Sequence, residues 1–278
     1  MQSVHARQLA TLALAGLILL AGGCRRDADP APAAAPDAAP VAAEPAPAEV
    51  PEVSLEDVVE TDPRYIIGIS YPPGAAAHPG LARALYDYAQ AARAELLQAV
   101  EGLDGPPSAP YELSLGYRTL LDTPQVVAVA VDGSLYTGGA HGQPLVARFV
   151  WLPGRGEMLQ AGRLLASEQG WQALSDYVSE QLGAAAHTRA ADESLDPADR
   201  RRLVSAALKM IGDGTAPRPE NFAQFEPLRG EGGRLRGLRF VFPPYQVGPY
   251  ADGVQEVEVP ASVLLPHLAA EYRDLFVH

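Results

Sequence analysis

Three aspartates, one histidine and one lysine are the residues of this sequence whose chemistry invites a catalytic reading. Asp122, Asp132 and Asp252 could pair as carboxylates for general acid and base work. Each sits in a turn-like sequence, however, where an aspartate bonds its own backbone, and turn formation explains it more simply. His141 lies in the loop Tyr136-Thr-Gly-Gly-Ala-His-Gly142, whose glycines permit positive φ or close backbone approach and could hold an imidazole at the tip. It is either a ligand or acid–base group, or a structural hydrogen-bonding residue of a tight turn, and no second histidine lies at metal-ligand spacing. Lys209 is the only lysine, and no serine stands three residues before it, so a Ser-x-x-Lys arrangement fails. His-Glu-x-x-His, Gly-x-Ser-x-Gly, phosphate-loop and dinucleotide motifs are absent too. The expectation is no catalytic residue, no metal ligand set and no cofactor.

A second block, Pro243-Pro-Tyr-Gln-Val-Gly-Pro-Tyr250, puts two aromatic rings in a stiff loop. Such low-entropy rings serve binding surfaces. They equally serve to cover a sheet edge while the prolines end a strand and Asp252-Gly253 turns the chain. Gly139, His141, Gly142, Tyr245, Tyr250 and Asp252 are therefore the candidate ligand-binding residues.

Cys24 is the only cysteine. A short basic start, Met1 to Arg7, leads into the apolar run Leu9 to Leu20, which is shorter than the roughly 20 residues needed to cross a bilayer and has the profile of a cleavable signal peptide. The run ends in Leu20-Ala-Gly-Gly-Cys24, which resembles the lipobox of bacterial lipoproteins, with Ala21 in place of the usual leucine. That resemblance implies removal of residues 1–23 and acylation of Cys24, with palmitate-type chains as a membrane anchor; one acyl chain binds only reversibly, two or three hold stably. The mature domain then has no disulfide to staple it and no free thiol nucleophile. Arg25 after the cysteine, rather than aspartate, suggests the outer membrane facing the periplasm. Residues 24–55 form the expected tether: after Arg25-Arg26 the stretch to Glu52 is Ala, Pro, Asp, Glu and Val alone, with no aromatic residue, which cannot form a core and reads as disordered.

Charge has to be divided before it is used. Residues 25–62 hold ten acids against two arginines, and residues 63–278 twenty-four acids against eighteen bases, so the tether carries most of the net charge of −13. This sign disfavours nucleic acid, and the cluster Arg229, Arg234, Arg236, Arg239 reads as a solvated strand face.

The elements that must position these residues lie in 56–278, one large domain or two small lobes, about 56–165 and 166–278. A strand Tyr65 to Tyr71 stops at Pro72-Pro73, and a helix from Pro79 to Gly102 carries Leu81, Leu85, Tyr88, Ala92, Leu96 and Val100 at helical spacing. Alternation predicts strands over Tyr111 to Leu121, Gln125 to Val131 and Leu145 to Leu152, an antiparallel meander. Two helices follow, one carrying Trp171, Leu174, Val178 and Leu182, the other capped by Asp196 and ending before Gly212. Strands at Phe222 to Leu228, Leu235 to Phe242 (with a bulge near Gly237) and Gln255 to Val259 precede a last helix carrying Leu265, Leu268, Tyr272 and Phe276. The order predicts an α+β fold on largely antiparallel sheets with packed helices.

Together the 136–142 block, Phe240-Val-Phe-Pro-Pro-Tyr-Gln-Val-Gly-Pro-Tyr-Ala-Asp-Gly253 and Val257-Glu-Val-Pro260 resemble the signatures of the RsiV-type extracytoplasmic domain of unknown function, over roughly Tyr65 to Phe276. Members of that family include the outer part of an anti-sigma factor that senses lysozyme, a noncatalytic region before peptidoglycan deacetylase domains, and uncharacterised lipoproteins. The resemblance implies a noncatalytic binding or sensor module whose partner is a cell-wall fragment (peptidoglycan) or a lysozyme-like hydrolase. Sigma regulation and deacetylation are not part of the expectation, since no sigma-binding segment, membrane helix or deacetylase domain is recognised in the sequence. An envelope hydrolase with an unrecognised site, and a structural scaffold of an envelope complex, are the alternatives; the first requires clustered acids or His141 beside a carboxylate in a concave pocket, the second a broad apolar patch without one.

Overall fold

The computed structural model describes residues 53–191 and 196–277. The expected signal peptide, lipidated Cys24 and tether up to Glu52 lie outside the described residues.

Two antiparallel strands open the fold, β1 (Val58–Asp62) and β2 (Tyr65–Ser70), turned by Pro63-Arg64, where the Asp62 carboxylate accepts the Arg64 backbone N–H. Pro79 starts helix α1 (Pro79–Glu101), suited to a first turn whose N–H groups need no helical partner. Leu81, Leu85, Ala89, Ala92, Leu96 and Val100 form its buried stripe. Tyr88, expected on that stripe, is half-buried at its border and meets Phe149 edge to face. The chain returns as β3 (Tyr111–Asp122), parallel to β2, so β2-α1-β3 is a crossover unit that the expected meander did not contain. β4 (Val127–Tyr136), β5 (Gln143–Leu152) and the short β6 (Glu157–Met158) complete a six-stranded sheet in sequence order, antiparallel from β3 onward.

Central strand β4 is buried on both faces. Val127, Val129 and Val131 pack with α1, while Val126 and Ala128 join Val150 and Leu152 in a second core. That second core holds the C-terminal part: α2 (Ala161–Leu164), α3 (Glu168–Arg189), α4 (Pro197–Gly214), the antiparallel sheet β7 (Phe225–Arg229), β8 (Leu235–Phe242), β9 (Gln255–Pro260), and α5 (Ala261–Leu264). Ser167 caps α3 and Asp196 caps α4, its carboxylate accepting the Ala198 N–H at 2.7 Å. The architecture is mixed α+β, with one parallel pair among otherwise antiparallel strands.

Four local expectations change. α4 runs on to Gly214 rather than stopping before Gly212. The strand expected from Phe222 begins at Phe225, because Pro219–Phe222 forms a 3-10 turn that sinks Phe222 between Trp171, Phe240 and Phe242. The extra residue of the β8 bulge is Arg236; Gly237 beside it is required for close approach, since a Cβ there would stand 2.3 Å from the Val259 carbonyl oxygen. The last helix is broken: Pro266 offers no N–H, so α5 ends at Leu264, Leu268 bridges to Leu165, and a 3-10 turn (Ala270–Leu275) brings Tyr272 and Phe276 into the core.

Candidate functional site

The loop between β4 and β5 and the loop after β8 meet at the surface. In the first, Gly138 (φ 100°) and Gly139 (φ 93°) take left-handed backbone that side chains disfavour, and the Tyr136 hydroxyl donates to the Gly139 carbonyl at 3.3 Å. His141 follows, exposed, with Nδ1 3.1 Å from the Gly142 carbonyl. A carbonyl only accepts, so Nδ1 carries the hydrogen; in the neutral ring Nε2 is then an acceptor. Gly142 contributes that carbonyl rather than a special backbone shape.

In the second loop the prolines end β8, and Tyr245 adopts φ 73°, the only positive φ at a non-glycine among the described residues. A bulky residue there is strained and persists because its surroundings fix it. The Tyr245 N–H donates to the Gly248 carbonyl, and the Gln246 N–H to that of Pro243. The Gln246 side chain donates from Nε2 to the carbonyls of Gly214 (3.0 Å), at the end of α4, and Asn221 (2.8 Å), while Val247 is buried. A Cβ at Gly248 would stand 2.4 Å from Gln255 Nε2 and would displace that side chain.

The result is a three-ring surface cluster. The Tyr245 hydroxyl donates to His141 Nε2 at 3.1 Å, and the imidazole stacks on Tyr250 with centroids 4.1 Å apart and planes 18° from parallel. Tyr245 and Tyr250 remain 55% and 39% exposed, so their faces are available to a partner. Of the six candidate residues, His141, Tyr245 and Tyr250 come together, with Gly139 and Gly142 shaping the loop beneath. Asp252 does not join the rings; it sits in a 3-10 turn (Tyr250–Asp252) and faces Arg189 of α3 at 3.6 Å.

The other carboxylates separate from this place. Asp122 ends β3 as a turn-flanking residue. Asp132, expected in a turn, lies within β4, because the loop begins only after Tyr136, and it accepts from Arg148 at 2.9 Å and Arg118 at 3.2 Å. Arg148 and Glu226, which nothing in the sequence reading singled out, form a buried pair at 2.7 Å with side chains 2% and 6% exposed. The arginine cluster divides: Arg229 and Arg234 are exposed, whereas Arg236 and Arg239 bond Glu258 and Arg239 also reaches Glu226. Bonds from Arg239, then Arg236, hold the Glu258 carboxyl below its ordinary range, and the Arg239 guanidinium is correspondingly raised. Among the described residues no group of three or more His, Cys, Asp or Glu could hold a metal ion, and no helix is long and apolar enough to cross a membrane.

Fold and site thus define a class: an α+β domain with an open aromatic platform on its surface, His141 being bonded there to a carbonyl and a phenol. Residues 166–262 match the family described as a protein of unknown function, DUF3298. The match includes Tyr245, Tyr250 and Asp252 and leaves the His141 loop outside. Solved structures similar to the chain include a DUF3298 family member from Bacteroides fragilis (18% identity, 72% of this chain and 71% of that one, TM-score 0.43) and a DUF3298 family protein from Pseudomonas aeruginosa (15% identity, 82% and 99%, TM-score 0.46). No curated protein matches.

Proposed function

We propose that the protein is an envelope lipoprotein, anchored through acylated Cys24 in the outer membrane and facing the periplasm, whose folded domain is a noncatalytic binding or sensor module of the RsiV type. The His141–Tyr245–Tyr250 platform is its binding surface, and a cell-wall glycan fragment is the ligand, with a lysozyme-like hydrolase as the protein alternative. The observation that carries this reading is Tyr245: a bulky ring held at φ 73° yet left 55% exposed. The strained turn seats Gln246 and Val247 in the fold while leaving the Tyr245 ring itself uncovered, and strain of this kind gathers at ligand clamps. Planar faces with phenol and imidazole hydrogen-bonding groups at their rims suit a sugar ring, which presents C–H groups on its face and hydroxyls at its edge.

The test is binding of an N-acetylglucosamine oligosaccharide, of muropeptides and of lysozyme to the protein, with Tyr245→Ala and Tyr250→Ala beside the wild type. Wild-type binding to either ligand class, weakened roughly tenfold or more by each substitution, is expected. Binding to none of the probes, or equal binding by the variants, would end the platform reading. Incorporation of labelled palmitate into the wild type and not into Cys24→Ser tests the anchor separately.

A further inference from the structure

At the platform the direction of one hydrogen bond depends on a single proton. The His141 Nδ1–H donates to the Gly142 carbonyl at 3.1 Å, so in the neutral ring Nε2 accepts the Tyr245 hydroxyl hydrogen, also at 3.1 Å. Tyr245 then turns only lone pairs outward, and a partner meets an acceptor there and no donor. A second proton on the imidazole makes both nitrogens donors. Nε2–H now donates to the Tyr245 oxygen over the same distance, and the phenol hydrogen turns about its C–O bond to face outward. The Tyr250 ring, stacked on the imidazole at 4.1 Å, takes the new charge against its negative face, a cation–π contact that the neutral ring lacks. The groups around His141 do not cancel that charge. Its own loop rests on Tyr136, bonded to the Gly139 carbonyl, and on Tyr111 beneath Gly138. The loop after β8 supplies Tyr245, and the turn Tyr250–Asp252 supplies Tyr250, while Asp252 faces Arg189 at 3.6 Å. No ion pair among the described residues includes His141, so its second proton adds net positive charge to the platform.

Resting on the platform reading above and deepening it, we infer that His141 is a proton-operated selector: with the ring neutral the platform binds uncharged sugars, and with the ring protonated it favours a sugar that carries a carboxylate. The selection follows from donors and acceptors. A sugar hydroxyl donates or accepts as its neighbour requires, and either state serves it. A carboxylate only accepts. It meets lone pairs on Tyr245 beside the neutral imidazole, and a phenol O–H next to a cation beside the protonated one. The Tyr250 hydroxyl is common to both states and does not discriminate. Histidine is the side chain that changes charge between about pH 5 and pH 8, a range in which a sugar carboxylate stays ionised, so acidification acts on the protein and not on the ligand. The other described histidines stand elsewhere: His78 beside Trp151, His187 bonded to Gly183 within α3, and His267 against Gly170.

The probes are the disaccharide of N-acetylglucosamine and its counterpart ending in N-acetylmuramic acid, which adds one lactyl carboxylate, each titrated into the full-length protein at about pH 8 and about pH 5.5. Affinity for the neutral disaccharide stays within about twofold, and affinity for the acidic one rises roughly fivefold or more as the pH falls. His141→Gln, which cannot titrate, abolishes that response. Tyr245→Phe keeps the ring, deletes the hydroxyl and cuts the response to about twofold or less, the attraction of an exposed charge alone. Nitrogen-15 spectra of the free protein, with the His141 signals identified by their loss in His141→Gln, show hydrogen on Nδ1 alone at the higher pH and on both nitrogens at the lower. A neutral ring carrying its hydrogen on Nε2, an acidic disaccharide bound equally at both pH values, or a response that survives His141→Gln or is undiminished in Tyr245→Phe overturns the selector. Binding of neither disaccharide at either pH strikes the platform reading and the selector with it, whereas neutral binding without a pH response to the acidic sugar strikes the selector alone.

Discussion

Replacing Arg148 by leucine tests whether a buried ion pair fixes the two sheets against each other. The Arg148 guanidinium donates to Glu226 at 2.7 Å, to Asp132 at 2.9 Å and to the carbonyls of Val131 and Ala147 at 3.2 and 3.0 Å. Leucine removes all four and leaves the Glu226 carboxylate, 6% exposed, with Arg239 at 3.4 Å and Arg118 at 3.9 Å. Breaking a buried pair from one side costs about 3–5 kcal/mol, and the two surviving guanidinium groups place this case near ~3 kcal/mol. With a urea slope of about 3 kcal/mol/M for a domain of this size, the unfolding midpoint falls by roughly 1 M. Arg148→Leu/Glu226→Leu removes both charges, leaves Asp132 partly solvated, and recovers most of the loss, giving a coupling of about 2 kcal/mol. Urea unfolding of the wild type, both single variants and the double variant closes the cycle. A cost below about 1 kcal/mol for Arg148→Leu, or a double variant as unstable as the sum of the singles, would refute the account.

Further outcomes are specific. Gly214→Ala would put a Cβ 2.0 Å from the Gln246 carbonyl oxygen, so the α4 end and the Tyr245 loop must part; stability falls by about 1–3 kcal/mol in urea unfolding, and platform binding weakens with it. Asp196→Ala deletes the α4 cap and costs about 1 kcal/mol, read the same way. Glu258 has a folded pKa held low, so the stability it confers is present above its unfolded pKa and is lost as pH falls through the folded value. Glu258→Gln is therefore less stable than the wild type near neutrality, and thermal scans taken from about pH 5 down to about pH 3 show the gap closing.

Helix α1 was legible because its whole signal is local: proline at the first turn, one apolar stripe at helical spacing, glycine at the end. The strand pairs β3–β4 and β4–β5 were legible from alternation and glycine-bearing loops. The parallel return from β2 to β3 was not, since no local pattern distinguishes which neighbour a strand chooses after a crossover. The final helix failed for a visible reason: Leu265, Leu268, Tyr272 and Phe276 keep helical spacing, but Pro266 stands among them, and burial rather than helix formation set that spacing. At the site, the residue types of both loops were readable and their meeting was not. A separation of 104 residues lies between Tyr245 and His141, and neither loop's sequence encodes the other. Arg148 and Glu226 escaped notice because each is a charge flanked by apolar strand residues, a pattern that reads as an exposed position until the opposite sheet supplies its partner.

That partner also bears on the site. The His141 loop is the end of the β4–β5 hairpin, and the Tyr245 loop is the end of β8, which pairs with β7. The two strand systems touch where β5 meets β7, and there Arg148 fixes the register twice: its backbone N–H donates to Gln224 Oε1 at 2.7 Å, and its guanidinium holds Glu226. A slip at this junction moves one loop tip relative to the other, and the 3.1 Å Tyr245–His141 bond tolerates little displacement before it is lost. The ion pair is thus a positioning device for the platform, replaceable in stability by apolar packing but not in register. It follows that Arg148→Leu/Glu226→Leu, though it folds, weakens ligand binding at the platform; unfolding and binding measured on the same variant separate the two roles, and full affinity in the double variant would show that register is held elsewhere.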